Sequence, residues 1–232
     1  YGRTYVRDEK GREVEIHYIG IDGKPQPTKW GLGIKKFYYD DKDNWVKAEY
    51  LTTDRKPALD AADGVCIYEL EHDEYGNVIY AVHKDSKGKL TMPKMNNIAG
   101  IHNFYDEKGL TIKEELLGID KKPMMVKGLG WAIRIQEYDD NGYVSGYKFQ
   151  DTQGNPVNCT EGNASSKIVN DEHGNAIEQW FFDTKDKLCC VKSGYAGLKN
   201  EVDSLGNVTK SIYYGTDKKP CLNEDLIAGY AI

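Results

Sequence analysis

Residues 139–164 read DDNGYVSGYKFQDTQGNPVNCTEGNA, and three marks inside this stretch decide the fold. The first is the Asp-x-x-Gly turn Asp139 to Gly142. An Asp in that position accepts hydrogen bonds from the turn's own amides, and Gly takes the positive φ that closes a hairpin. The second is Asn155-Pro156, a further reversal whose Pro removes an amide where a short edge strand begins. The third is Gly162-Asn163-Ala164, whose small residues imply close backbone approach.

Outward from this stretch every mark recurs. The Asp-x-x-Gly turn returns at Asp8, Asp73, Asp106, Asp171 and Asp203, and Asp40 to Asp43 keeps the Asp without the Gly. Successive Asp positions lie 32, 33, 33, 33, 32 and 32 residues apart. The Pro register holds Pro25, Pro57, Pro123, Pro156 and Pro220, with Leu90 and Leu188 in the other two copies. The Gly-x-small mark reads Gly31 to Gly33, Gly64 to Cys66, Asn97 to Ala99, Gly130 to Ala132, Gly162 to Ala164, Gly194 to Ala196 and Gly229 to Ala231. Seven repeats therefore begin near residues 8, 40, 73, 106, 139, 171 and 203, making one tandem-repeat domain over 1–232.

Between the marks the pattern alternates with period two. Val14, Ile16 and Tyr18 share one face of a strand, and Glu13, Glu15 and His17 the other. Trp180-Phe181-Phe182 is apolar on both faces, as a middle strand should be. The spacing predicts about three short antiparallel strands per repeat and no helix longer than a turn or two, with 163–169 the one ambiguous stretch. A repeat this small cannot bury its own apolar face, so the copies must stack. Two architectures satisfy this, an open β-solenoid or superhelix and a closed seven-fold propeller-like ring. Blades of four strands need about 40 residues or more, which favours the open form. Tyr1 and Ile232 both fall mid-repeat, so the chain reads as a piece of something longer or already processed.

Composition narrows the function classes. Only 39% of residues are hydrophobic, and 17 Tyr stand against 5 Phe. Tyrosine suits a sheet with one dry and one wet face. The net charge is −6 with both signs interleaved, so no phosphate-binding stripe exists and nucleic acid is excluded as a partner. No apolar stretch reaches membrane-spanning length. The five cysteines contain no CxxC pair; Cys189 and Cys221 share a register and read as small apolar fillers, with a stacked disulfide the alternative.

The aromatic-Asp turn Tyr105-Asp106, the step Gly174-Asn175 and the element Gly194-Tyr195-Ala196 resemble the tandem β-repeats of long bacterial proteins of the WG or YD kind. Lys29-Trp30-Gly31 also spells the WG signature, once. The resemblance covers the whole chain as architecture and none of it as a catalytic motif. It implies a repeat segment of a larger bacterial protein, and a secreted or cell-surface location is the expectation for such a segment.

No catalytic residue, metal ligand or cofactor site is expected. The five histidines fall at unrelated places in the repeat, and no nucleophile elbow, Walker loop or dinucleotide fingerprint occurs. Asp40 to Asn44 begins like a calcium loop, but Val46 and Thr52 stand where the loop's glycine and bidentate glutamate belong. Glu114 and Glu115 point to opposite faces of a strand and cannot flank one glycosidic bond. The middle residue of the third mark is aromatic at Trp131, Tyr195 and Tyr230, with Trp30 adjacent to it in the first copy. Outward-pointing, these four rings would form a row for a glycan or a partner peptide; inward-pointing, they are core. The leading reading is a non-catalytic binding, scaffolding or spacer module with a protein or glycan ligand. A glycan- or cell-wall-binding array comes second, and an enzyme with its site in a divergent repeat or ring channel third.

Overall fold

The computed structural model describes residues 2–231, which form fifteen strands and no helix. Tyr1 and Ile232, on which the reading of the chain ends rests, lie outside the described residues. The strands are β1 (Gly2–Arg7), β2 (Glu13–Ile19), β3 (Ile34–Tyr39), β4 (Trp45–Leu51), β5 (Ile67–His72), β6 (Val78–Lys84), β7 (Gly100–Tyr105) and β8 (Thr111–Leu117). They continue as β9 (Ile133–Tyr138), β10 (Val144–Gln150), β11 (Ser165–Asn170), β12 (Ala176–Phe182), β13 (Gly197–Val202), β14 (Val208–Tyr214) and β15 (Gly229–Ala231). The stretch 163–169 is thus mostly strand. Hydrogen-bonding order follows chain order from β1 to β15, the order of an open antiparallel sheet rather than a closed ring. Two compact units divide the chain: Tyr1–Phe104 with Leu116–Pro123, and Tyr105–Glu115 with Met124–Ile232.

Each repeat holds two strands, not three. The expected third strand is one residue wide, a single bridge such as Ile19 to Pro25 or Gln150 to Pro156. Proline has no amide to extend the ladder, and another turn follows at once. The repeat is therefore a hairpin followed by two reversals.

All three turns of a repeat close on a left-handed residue. At the first turn, Gly11 N donates to Asp8 O at 2.9 Å, and Asp8 Oδ1 accepts from Lys10 N at 3.0 Å and Arg12 N at 2.9 Å. The Gly-Asn step has a structural cause: Asn175 Nδ2 donates to Asp171 Oδ2 at 2.8 Å, and Asn44, Asn77 and Asn207 do the same in their repeats. The Asn side-chain hydrogen bond, with the turn amides, holds the Asp171 carboxyl below its ordinary range. Asp43 keeps the geometry without glycine by adopting φ 67°. At the second turn Arg55, Lys121, Asp186 and Lys218 also sit at positive φ.

The third turn corrects a register. In five repeats the small residue of the third mark accepts an amide from an aromatic or histidine neighbour strand residue, as in Tyr50 N to Cys66 O (2.8 Å) and Phe181 N to Ala196 O (2.9 Å). In the last repeat that acceptor is Ala228, from Tyr213 N at 2.9 Å, and Leu226 is the left-handed residue at φ 60°. The mark is Leu226-Ile227-Ala228, and Gly229-Tyr230-Ala231 belongs to β15. A leucine in a conformation that favours glycine hid it.

Small residues are required there because backbone lies against them. A Cβ added at Gly33 would meet Thr53 N at 2.3 Å. The middle residues Leu32, Val65, Ile98 and Trp131 are buried and make the apolar core under the third turns.

Side-chain donors join successive hairpins. Tyr39 Oη donates to Glu13 O at 2.9 Å, Tyr138 Oη to Thr111 O at 2.9 Å and Asn170 Nδ2 to Val144 O at 2.9 Å. Asn103 and Asn200, two residues earlier in their strands, reach the equivalent carbonyls of Val78 and Ala176. His72 stands in the Tyr39 register, and its Nδ1 is buried with no hydrogen-bond partner among the described residues. All five cysteines, Cys189 and Cys221 included, are free thiols, so the stacked disulfide is absent.

Candidate functional site

The structure separates the four aromatic candidates. Trp131 is 7% exposed, with its ring centroid 5.8 Å from Phe149 and the Arg134 guanidinium over it. Tyr195 shares its register and is half-buried, stacked on Tyr213 at 4.5 Å and edge-on to Phe181 at 6.0 Å. Burial, with the neighbouring Tyr213, pushes the Tyr195 phenol up, so it stays a protonated donor at neutral pH. Trp30 precedes the register and is 43% exposed under the Lys29 ammonium. Tyr230, at 46%, lies on β15 opposite Ser211. Trp131 and Tyr195 thus share one position, and Trp30 and Tyr230 occupy two others.

A different constellation forms in the second compact unit. The third turns of successive repeats are tied by a backbone hydrogen bond, Lys192 N to Glu161 O at 2.8 Å, the counterpart of Thr160 N to Leu129 O at 2.9 Å. This stacking places the loop bearing Glu161 and Asn163 beside the loop bearing Ser193 and Tyr195. Beneath them, strand register sets Tyr147 opposite Ser166 and Ser166 opposite Phe181, all on one face. Loops and strands enclose an open groove of about 290 Å³, whose floor also includes Phe149 and Gln179.

Its polar groups fall into two kinds. Asn163 is buried and committed, its Nδ2 donating to Ser165 O at 3.1 Å and its Oδ1 accepting from Cys159 Sγ at 3.2 Å. Ser166 is 4% exposed, yet its hydroxyl forms no hydrogen bond among the described residues; the same holds for the side chains of Gln179, Glu161 and Ser193. A second cavity, of about 280 Å³, lies beside Lys148 and Asp183. There Lys148 pairs with Glu137 and Asp183 accepts the amides of Lys185 and Lys187, while the side chains of Gln150, Thr184 and Asp186 make no hydrogen bond among the described residues.

No family model matches the sequence, and no curated protein matches it. Solved structures do match. The crystal structure of TcdB2-TccC3-Cdc42 gives a TM-score of 0.42 at 9% identity, covering 92% of this chain and 11% of that one. The crystal structure of TcdB2-TccC3 gives 0.41 at 11% identity, covering 90% and 11%. The Photorhabdus luminescens Tc holotoxin pore gives 0.40 at 11% identity, covering 92% and 11%. The chain spans about a tenth of the length of the chains it matches. Likeness at this level does not extend to side chains or ligands.

Chemically the groove offers hydrogen bonding and ring contact. Among its lining residues are one carboxylate, Glu161, one thiol, Cys159, and no histidine. The phenols of Tyr147 and Tyr195 also face the groove, and the Glu161 carboxylate is near enough to raise the Tyr195 phenol further. Among the described residues, no group of three His, Cys, Asp or Glu side chains could hold a metal ion, and no helix is long and apolar enough to cross a membrane. Sequence reading missed Ser166, Gln179 and Glu161 because none recurs from repeat to repeat. The one available signal was the third mark itself, whose middle residue changes from aliphatic to Asn163 and Tyr195.

Proposed function

We propose that this chain is a non-catalytic interaction module, a β-repeat scaffold whose ligand is held at the groove between the Asn163 and Tyr195 loops. One observation carries the reading. What recurs in every repeat is turn-forming chemistry, whereas uncommitted polar side chains converge in that groove. Repeating parts build the frame, and the divergent part is where a ligand finds unsatisfied donors and acceptors. Nucleic acid stays outside the reading, because acidic and basic side chains alternate and pair across the strands, as in Lys84 with Glu69 and Lys199 with Glu178. The repeat resemblance supports a setting in a larger bacterial protein, exported or surface-borne.

The glycan reading first attached to a row of Trp30, Trp131, Tyr195 and Tyr230. With Trp131 buried and Tyr230 on another strand, the row gives way to the groove. The test is to incubate the purified chain with glycan, cell-wall and protein arrays and to recover the bound ligand for mass spectrometry. Saturable binding with the ligand recovered unaltered is expected. Turnover of a bound ligand would replace this reading with an enzymatic one.

A further inference from the structure

We infer that the groove takes a single neutral pyranose ring, an assignment that rests on the interaction-module reading above. Size comes first. About 290 Å³ is the low end for small-ligand pockets, room for one sugar ring rather than an oligomer.

Polarity comes next. Ser166 Oγ and the Gln179 amide each donate and accept, and Glu161 accepts. A sugar presents hydroxyls that also do both, spaced around a ring, so each uncommitted group finds a complement. Ser166 Oγ has no internal hydrogen bond and opens onto the groove, so it is free to pair with a ligand. Aromatic geometry selects the rest of the ligand. Aromatic faces carry negative charge density that attracts the weakly positive C–H groups on one side of a pyranose. Phe181 and Tyr195 meet at 61°, so they do not form the parallel walls that a flat base or indole would need. Tyr195 is already held against Tyr213, which lowers the ordering cost of binding. Charge completes the selection. Glu161 is the only ionisable carboxylate among the lining residues, and no basic side chain lines the groove, so phosphorylated, sulfated and uronic sugars are disfavoured.

The experiment uses the whole chain. Glucose, galactose, mannose and N-acetylglucosamine are titrated by NMR, with glucuronate as the anionic control. At least one neutral sugar should bind saturably, with a dissociation constant in the millimolar range, and glucuronate should not. Gln179→Ala and Glu161→Gln should each weaken that binding about tenfold with the melting temperature unchanged, because neither side chain makes an internal hydrogen bond. Absence of saturable sugar binding, equal binding of glucuronate, or variants that bind as well as the parent would each overturn the assignment. If the parent chain binds a macromolecular ligand on the arrays and both variants lose it, while sugars do not bind, the sugar assignment falls and the interaction module stands.

Discussion

The third turns of the two compact units differ in what they place over the sheet. In the first, Leu32, Val65 and Ile98 fill the middle position and are buried, and the strand residues beside their small neighbours are Tyr18, Tyr50 and His83. In the second, Trp131 keeps the position buried, and the next two repeats fill it with Asn163 and Tyr195, over Phe149 and Phe181. The small residue pairs with the strand in the same way in both, as in Tyr50 N to Cys66 O and Phe149 N to Ala164 O, although the turn closes across four residues at Gly64 and Asn97 and across three at Gly162 and Gly194. The first arrangement gains its stability from dry contact. The second keeps the frame but trades aliphatic packing for polar groups, and there the groove opens. The repeat thus tolerates functional residues at one position because turn chemistry and sheet pairing hold the rest.

The largest test of that contrast exchanges the two chemistries. Val65→Asn should destabilise the chain by about 3 kcal/mol, since no partner for the amide exists at a position that is 0% exposed. Asn163→Val should cost about 1 kcal/mol, losing the bond to Ser165 O and the weak one from Cys159 Sγ beside an open groove. Urea unfolding of both variants checks this, and equal losses would break the comparison.

The acid response should also separate the units. His83 is held below the ordinary histidine range by burial, against the opposing hydrogen bond to Ile98 O. A base with a depressed folded pKa takes up its proton more readily when unfolded. Its contribution is therefore intact above about pH 6.5, the unfolded value, and is lost as pH falls from there toward the folded pKa. Thermal melts from pH 7 to 5 should show this loss in the parent and a smaller one in His83→Phe, which copies Phe149 and Phe181. The turn aspartates act lower: Asp171, also depressed, keeps its contribution above about pH 4 and loses it as pH falls through its folded value.

His72→Tyr should stabilise the first unit by about 1 kcal/mol. It replaces a buried nitrogen without a partner by the phenol that Tyr39 and Tyr138 use to reach the preceding hairpin. A melting temperature that falls instead would show that the Trp45 carbonyl is out of reach. The smallest expected effect is Leu226→Gly, a gain of about 0.5 kcal/mol from relieving a left-handed leucine, offset partly by glycine's larger unfolded entropy. Chemical denaturation resolves that difference only if the corner, rather than its exposed side chain, sets the cost.

Much of this frame was legible before any coordinates. The Asp turns, the Gly-Asn step, the period-two faces of β2 and the opposite-facing Glu114 and Glu115 all appeared where the pattern placed them; Glu114 pairs with Arg134, and Lys113 with Glu115. These are local effects, in which a side chain caps its own turn or alternates along its own strand. The width of the third piece and the last register were misread, because Pro limits pairing and Leu226 accepts a conformation that composition assigns to glycine.

The amino-acid sequence by itself determined the period, the hairpin of each repeat and the need for stacking, since each follows from residues within a few positions of one another. Only the tertiary structure decided that Tyr39 bonds to Glu13, that Trp131 lies inside while Tyr230 belongs to another strand, and that Glu161, Ser166, Gln179 and Ser193 share one groove. Those groups meet across neighbouring loops and strands, and their distances are set by how one repeat packs on the next.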